Sequence, residues 1–205
     1  MKTALIIMLL SVMTITACSS NNTPKTQYYL LNSPTKAISV EPATVKSADE
    51  KKSTLSITLL ELPNYLAQPN LVLQLSNHQL HYSNFHMWAE PLNLGLAQAL
   101  THDLNTINSR YNVSVTPEVS SATPADVVIK ITAFQATHQS QVILVGNYTL
   151  KPSVLRFKNT AKSQENHFKF AIELNDDGYP HAVKKMREVV LHLAQKISKN
   201  IESNQ

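Results

Sequence analysis

Two stretches of the chain repeat their apolar residues at helical spacing. Leu92, Leu96, Leu100, Leu104 and Ile107 form one continuous stripe, which predicts a helix that begins near Pro91 and closes between Asn105 and Tyr111. Proline suits the first turn, where its missing N–H leaves no bond unmade. Val183, Met186, Val190, Leu193, Ile197 and Ile201 form a second stripe, with Lys184, Lys185, Arg187, Lys196 and Lys199 largely opposite. Asn175-Asp176-Asp177-Gly178 punctuates the chain before that helix. Adjacent acids there read as N-cap residues, and basic residues toward the far end complement the helix dipole. Such stripes ordinarily form core; a lipid-facing surface is the alternative.

Most of the remainder alternates at the period of a strand. Tyr28-Tyr29-Leu30-Leu31 is a short strand. Leu55 to Leu62 is a second, stopped by Pro63. Leu71 to Leu75 turns through Ser76–Gln79 and returns at Leu80–Tyr82 as a hairpin. Phe85 to Pro91 leads into the first helix, and Val113 to Val115 follows it. A meander comes next: Asp126–Phe134, a turn at His138–Gln141, Val142–Leu150, Val154–Lys158 extending or following it, a polar turn at Asn159–Glu165, then His167–Leu174. Phe168, Phe170 and Ile172 share one face of that last strand. No internal repeat is visible. The order of strands, helix, strands, helix predicts an α+β fold, a mostly antiparallel sheet with two long helices packed on it.

The N-terminus reads differently. Lys2 is followed by an uncharged apolar run, Ala4 to Val12, broken only by Ser11, and then by Thr16-Ala17-Cys18-Ser19. Positive, apolar and small residues in that order form a secretory signal peptide. The run is about half of the roughly 20 residues a membrane span needs. Cys18, the only cysteine, stands directly after Ile15-Thr16-Ala17, as in a bacterial lipobox. Its thiol would be acylated, with palmitate among the acyl groups, and become the mature N-terminus. An ordinary secretory cut near Ala17 is the alternative. The expected organisation is a signal peptide at 1–17, a lipidated flexible leader at 18–27, and one domain at 28–203 containing a mobile loop at 32–54.

Composition narrows the chemistry. The 205 residues include three glycines, so neither G-x-G-x-x-G nor G-x-x-x-x-G-K is present. No G-x-S-x-G elbow occurs either, and chain spacing says nothing of a dispersed Ser–His–Asp set. No enzyme activity and no cofactor are expected. The net charge is +4, with the basic residues scattered, whereas nucleic-acid binding calls for a dense basic stripe. His78, His81, His86 and His102 lie near one another in sequence. A metal needs three or four converging ligands, and His78 and His81 would point to opposite faces of an extended strand. They read as surface or edge histidines.

Several motifs together bear a family resemblance. Tyr28-Tyr29-Leu30-Leu31 soon after a lipobox, Leu62-Pro63-x-Tyr65-Leu66-x-x-Pro69-x-Leu71-Val72, and Trp88-Ala89-Glu90-Pro91-Leu92 opening a helix resemble the PqiC (paraquat-inducible protein C) family of auxiliary lipoproteins. Gln74 stands where many relatives carry arginine. The resemblance implies an outer-membrane lipoprotein that faces the periplasm and supports envelope integrity. It would belong to an MCE/ABC-type lipid transport system of a Gram-negative bacterium. Its partners would be a periplasm-spanning MCE-domain protein and that protein's inner-membrane partner, with a homo-oligomer as a further expectation. Ser19, not Asp, follows Cys18, which fits export to the outer membrane. The expected sites are Cys18 for lipidation and Tyr28, Tyr29, Leu30, Trp88 and Glu90 for partner binding. Trp88 and Glu90 have a second reading as a helix start, the ring buried and the carboxylate at the dipole's positive end. Tyr28 to Leu31 would pair with its own sheet edge or with a neighbouring subunit. A module that carries a lipid or small ligand itself is the alternative function.

Overall fold

The computed structural model describes residues 24–32, 53–108, 110–116, 126–151, 154 and 163–203. Cys18, residues 33–52 of the expected loop and residues 155–158 of the expected strand extension lie outside them. The elements are β1 (Gln27–Tyr29), β2 (Ser53–Glu61), a 3-10 turn (Asn64–Leu66), β3 (Asn70–Ser76), β4 (Gln79–Trp88), α1 (Leu92–Ile107), β5 (Tyr111–Val115), β6 (Val127–Thr137), β7 (Gln141–Leu150), β8 (Gln164–Glu173) and α2 (Tyr179–Ser203). This is the α+β architecture expected from the order of patterns.

Strand β6 is the spine of the sheet. Along one edge it pairs antiparallel with β7 over its whole length, and β7 pairs with β8. The other edge is shared. β2 runs parallel to Val127–Lys130, and β3 runs parallel to Ala136 and Thr137. The sheet therefore forks. One arm is β2–β5, parallel; the other is β3–β4–β1, with β3–β4 antiparallel and β1 added parallel to β4. The long ladders are antiparallel, and the parallel pairings are shorter additions at the fork and arm ends.

A bulge at Thr132 lets β6 serve both arms. Val127, Ile129 and Ile131 are buried at odd positions, then Phe134 and Ala136 at even ones. The pairing shifts between Ile131 and Ala133 opposite an unbroken β7, and the extra residue restores the apolar face to the core. Across from the bulge sits Gly146. A Cβ there would collide with the Lys130 carbonyl oxygen and lie 2.8 Å from Phe168 Cζ, so this crossing admits only hydrogen.

Both helices lie on one face and pack on each other. In α1, Leu92, Leu96, Leu100 and Leu104 are buried as expected, but Ile107 is exposed. The helix ends there, and Asn108 N–H closes the last turn on the Leu104 carbonyl. The α2 stripe from Val183 to Ile201 is buried throughout. Between the helices, Arg187 makes a two-pronged ion pair with Asp103, whose carboxylate is buried. Tyr148 is fully buried at the far end of β7, its hydroxyl oxygen accepting from Asn200 Nδ2. Burial pushes its pKa up to about 12, and the Asn200 bond offsets only part of that rise.

Other expectations are corrected. Ser53 and Thr54 begin β2 instead of ending a loop. Residues Phe85–Trp88 are strand, not the approach to a helix. β5 starts at Tyr111, and Gln164 and Glu165 already belong to β8. Asp176 and Asp177 do not cap α2. The first intrahelical bond runs from Ala182 N–H to the Gly178 carbonyl, so Gly178 is the capping residue, and its φ of 98° is one that glycine adopts freely.

Candidate functional site

The sequence-predicted contact residues gather where β1 meets β4. β1 pairs in parallel, with Gln27 opposite His86, Tyr28 opposite Met87 and Tyr29 opposite Trp88. The first strand thus pairs with its own sheet. Its ladder is extended by Ala89 N–H donating to the Tyr29 carbonyl at 2.8 Å.

Alternation then sorts the side chains. Gln27 and Tyr29 face the helices, while Tyr28 faces away. The Tyr29 hydroxyl donates to Gln27 Oε1 at 2.8 Å and lies 2.8 Å from His86 Nδ1. The hydroxyl thus bridges the Gln27 amide and the His86 ring. Burial, then the nearby Tyr179, raise the Tyr29 pKa above the ordinary tyrosine value. The other face of His86 stacks on Tyr179 at the start of α2, centroids 3.8 Å apart. Three rings from β1, β4 and α2 therefore tie the first strand to the helical layer.

Trp88 is 6% exposed and belongs to the core. Its backbone N–H donates to the Pro69 carbonyl at 2.7 Å. Glu90 folds back over the start of α1, its Oε1 3.2 Å from the position a Cβ would take at Gly95. Leu31 packs at the same place and is buried. This is the geometry of a helix start, with the carboxylate near the positive end of the dipole. Tyr28 and Leu30 are the members of the expected set whose side chains stand in solvent.

Two features were not read from the sequence. The first is a bulge in β4. Between the Asn70–Met87 and Val72–Tyr82 pairs, β4 carries extra residues. Ser83 Oγ accepts from the N–H groups of Phe85 and His86, and Asn70 Nδ2 donates to the Ser83 carbonyl. The turn leaves Phe85 exposed beside β1. The second is a groove of about 320 Å³ between the end of β3, the β6–β7 turn and the start of α2. Leu73, Ala136, Leu174 and Tyr179 line it, with Asp176 and Asp177 also in the lining. His138 and Ser140 are part of the same lining, but neither hydrogen-bonds the other or Asp176, so the contact a nucleophile relay needs is not made here. His78 and His81 lie exposed on the hairpin. Among the described residues, no group of three or more His, Cys, Asp or Glu could hold a metal ion. Also among the described residues, no helix is long and apolar enough to cross a membrane.

Residues 34–198 match the family model described as an ABC-type transport auxiliary lipoprotein component. The chain belongs to that family. The family is one of transport auxiliary lipoproteins rather than of enzymes. Curated relatives are the intermembrane transport lipoprotein PqiC of Escherichia coli (strain K12) and that of Shigella flexneri. Each is 26% identical over 188 residues, covering 92% of this chain and 92% of the relative. Among solved structures, the fold is shared with a crystal structure of an uncharacterized protein, with TM-score 0.67 and 20% identity over 86% of this chain and 99% of that one. It is also shared with protein XCC0632 from Xanthomonas campestris, with TM-score 0.56 and 11% identity over 72% and 83% of the two chains. The matched residues take in β2 to β8, α1 and most of α2.

Proposed function

We propose that the chain is an outer-membrane lipoprotein subunit of an MCE/ABC-type intermembrane lipid transport system. It is held by acyl groups on Cys18 and serves as a non-enzymatic docking scaffold for a periplasm-spanning MCE-domain protein, in support of envelope integrity. The observation that carries this reading is the family match over residues 34–198, with relatives named for intermembrane transport. Burying acyl chains contributes about 0.8 kcal/mol per CH₂, so two or more chains make attachment stable. The β1 residues give the leader a fixed point of attachment to the fold. Trp88, Tyr29 and Glu90 position that edge, and Tyr28 and Leu30 present it.

The test is mild crosslinking of whole cells followed by purification of the lipoprotein. An MCE-domain protein should co-purify; its repeated absence contradicts the scaffold role. The second reading, a module that carries its own cargo, has the groove beside Tyr179 in its favour. A lipid of fixed mass on the purified chain, without any MCE-domain protein, would favour that reading instead.

A further inference from the structure

The helix-free face of the β1–β4–β3 arm bears an exposed apolar strip. Trp88 and His86 face the helices, as does Leu73, which lines the groove with Tyr179. Their sequence neighbours point the other way. Tyr28 pairs opposite the half-buried Met87, Leu80 opposite Gln74, and Tyr82 opposite Val72, which is itself buried beneath this face. Phe85 stands on the bulge between them. Tyr28 is 65%, Phe85 41%, Tyr82 39% and Leu80 36% exposed. Solitary exposed apolar residues need no explanation, whereas a run of them along one face marks a contact surface.

Two observations choose the occupant. The first is charge. Residues 24–32 and 70–89, which make up this arm and its approaches, contain no Asp or Glu; their ionisable cations are Lys25, His78, His81 and His86. The nearest acids along the chain are Glu90, Glu61 and Glu41; Glu61 is engaged with Lys130 and Glu90 with the start of α1, and Asp176 and Asp177 line the groove on the helix side of β3. The second is reach. Cys18 precedes Gln27 by nine residues, which span at most about 30 Å when fully extended. Tyr28 is the residue after Gln27. The strip thus lies at the end of the fold that an anchored leader holds next to the bilayer, and it is aromatic, aliphatic and free of negative charge.

We propose that this face rests on the phospholipid surface itself, with Tyr28, Tyr82 and Phe85 seated among the headgroups and Leu80 beside them. Tyrosine and phenylalanine suit that boundary, with an apolar body and, for tyrosine, a polar tip that stays wet. A surface without carboxylates meets anionic phospholipid without repulsion, and Lys25 adds attraction. The proposal rests on acylation of Cys18 and turns a one-point tether into a fixed orientation. The helical layer and the groove then face away from the membrane, toward the periplasm.

The experiment uses the acylated full-length product reconstituted into phosphatidylethanolamine–phosphatidylglycerol vesicles. With Cys18 acylated, a cysteine introduced by Phe85→Cys or Leu80→Cys is the one free thiol and takes a fluorescent label. Gln195→Cys on the exposed side of α2 is the control. Lipids brominated on the upper acyl carbons should quench the labels at 80 and 85 at least about three-fold more than the label at 195. Adding Tyr28→Ser and Tyr82→Ser, both exposed positions, should reduce quenching at 85 toward the control. Equal, weak quenching at all three positions on vesicle-bound protein overturns the proposal, as does excimer formation between labels of two copies at 85. Burial of the label only after an MCE-domain protein is added overturns it as well. Protein that fails to stay with the vesicles at all reports instead on Cys18 acylation.

Discussion

Replacing Gly146 by valine is expected to remove about 3 kcal/mol or more of folding stability. For a domain of this size that lowers the melting midpoint by roughly 10 °C. The cause is local. β7 runs straight past the bulge at Thr132, and the Lys130 carbonyl and the Phe168 ring occupy the space a side chain would need. Neither neighbour can yield cheaply. The carbonyl belongs to the sheet's spine, and Phe168 is buried in an aromatic column with Tyr148 and Phe170. Urea denaturation beside Asn147→Ala, a half-buried neighbour on the opposite face, measures the effect. A loss below about 1 kcal/mol would mean that β6 and β7 have room to separate.

The second large effect is expected at Asp103. Truncating it to alanine should cost about 3–5 kcal/mol, because Arg187 keeps its charge in a partly buried position without its partner. Changing both residues to leucine should recover most of that loss, since apolar side chains fill an interhelical site without desolvation cost. A double-mutant cycle in urea reads the coupling. A single substitution costing less than about 1 kcal/mol would place the pair among ordinary surface bridges, which contribute little.

The residues that matter in these two predictions differ in how far the sequence exposes them. Helical stripes need only local spacing, so α1 and α2 were legible nearly to their ends, as were the alternating β7 and β8. Ile107 fits the stripe by spacing but falls on the terminal turn, where the core has already ended. The Asp103–Arg187 pair joins positions 84 residues apart, and on periodicity alone Arg187 reads as part of a solvated face. Periodicity alone ends β4 early, because the bulge at Ser83 breaks alternation at the point where a strand would be recognised. The same kind of break in β6, at Thr132, hides the fork. No local pattern announces that β1 and β5 will pair in parallel, since parallel partners are set by the path of the whole chain. Asp176 and Asp177 carried an N-cap signal that Gly178 took over, because its backbone reaches a φ unfavourable for them.

The candidate surface was legible in part for the same reasons. Tyr28 and Leu30 stand out in sequence as apolar residues beside a polar leader, and the fold leaves both exposed. Trp88 and Glu90 stand out equally, yet the fold turns one into core and the other into a helix-start carboxylate. Tyr82 and Phe85 carry no motif. They become a surface only because β1 and β4 align them with Tyr28 on the face the helices leave uncovered. His86 reads as one of several scattered histidines, and only the stack with Tyr179 and the bond to Tyr29 show that it fastens the first strand.

The central claim is that this domain works while fixed to the outer membrane through one residue. The most direct measurement is separation of inner-membrane, outer-membrane and soluble periplasmic fractions from cells that express the wild-type chain or Cys18→Ala. The account predicts wild-type protein in the outer-membrane fraction and the variant in the soluble fraction or retained as uncleaved precursor. Equal recovery of both proteins as processed, outer-membrane-bound chains would contradict it.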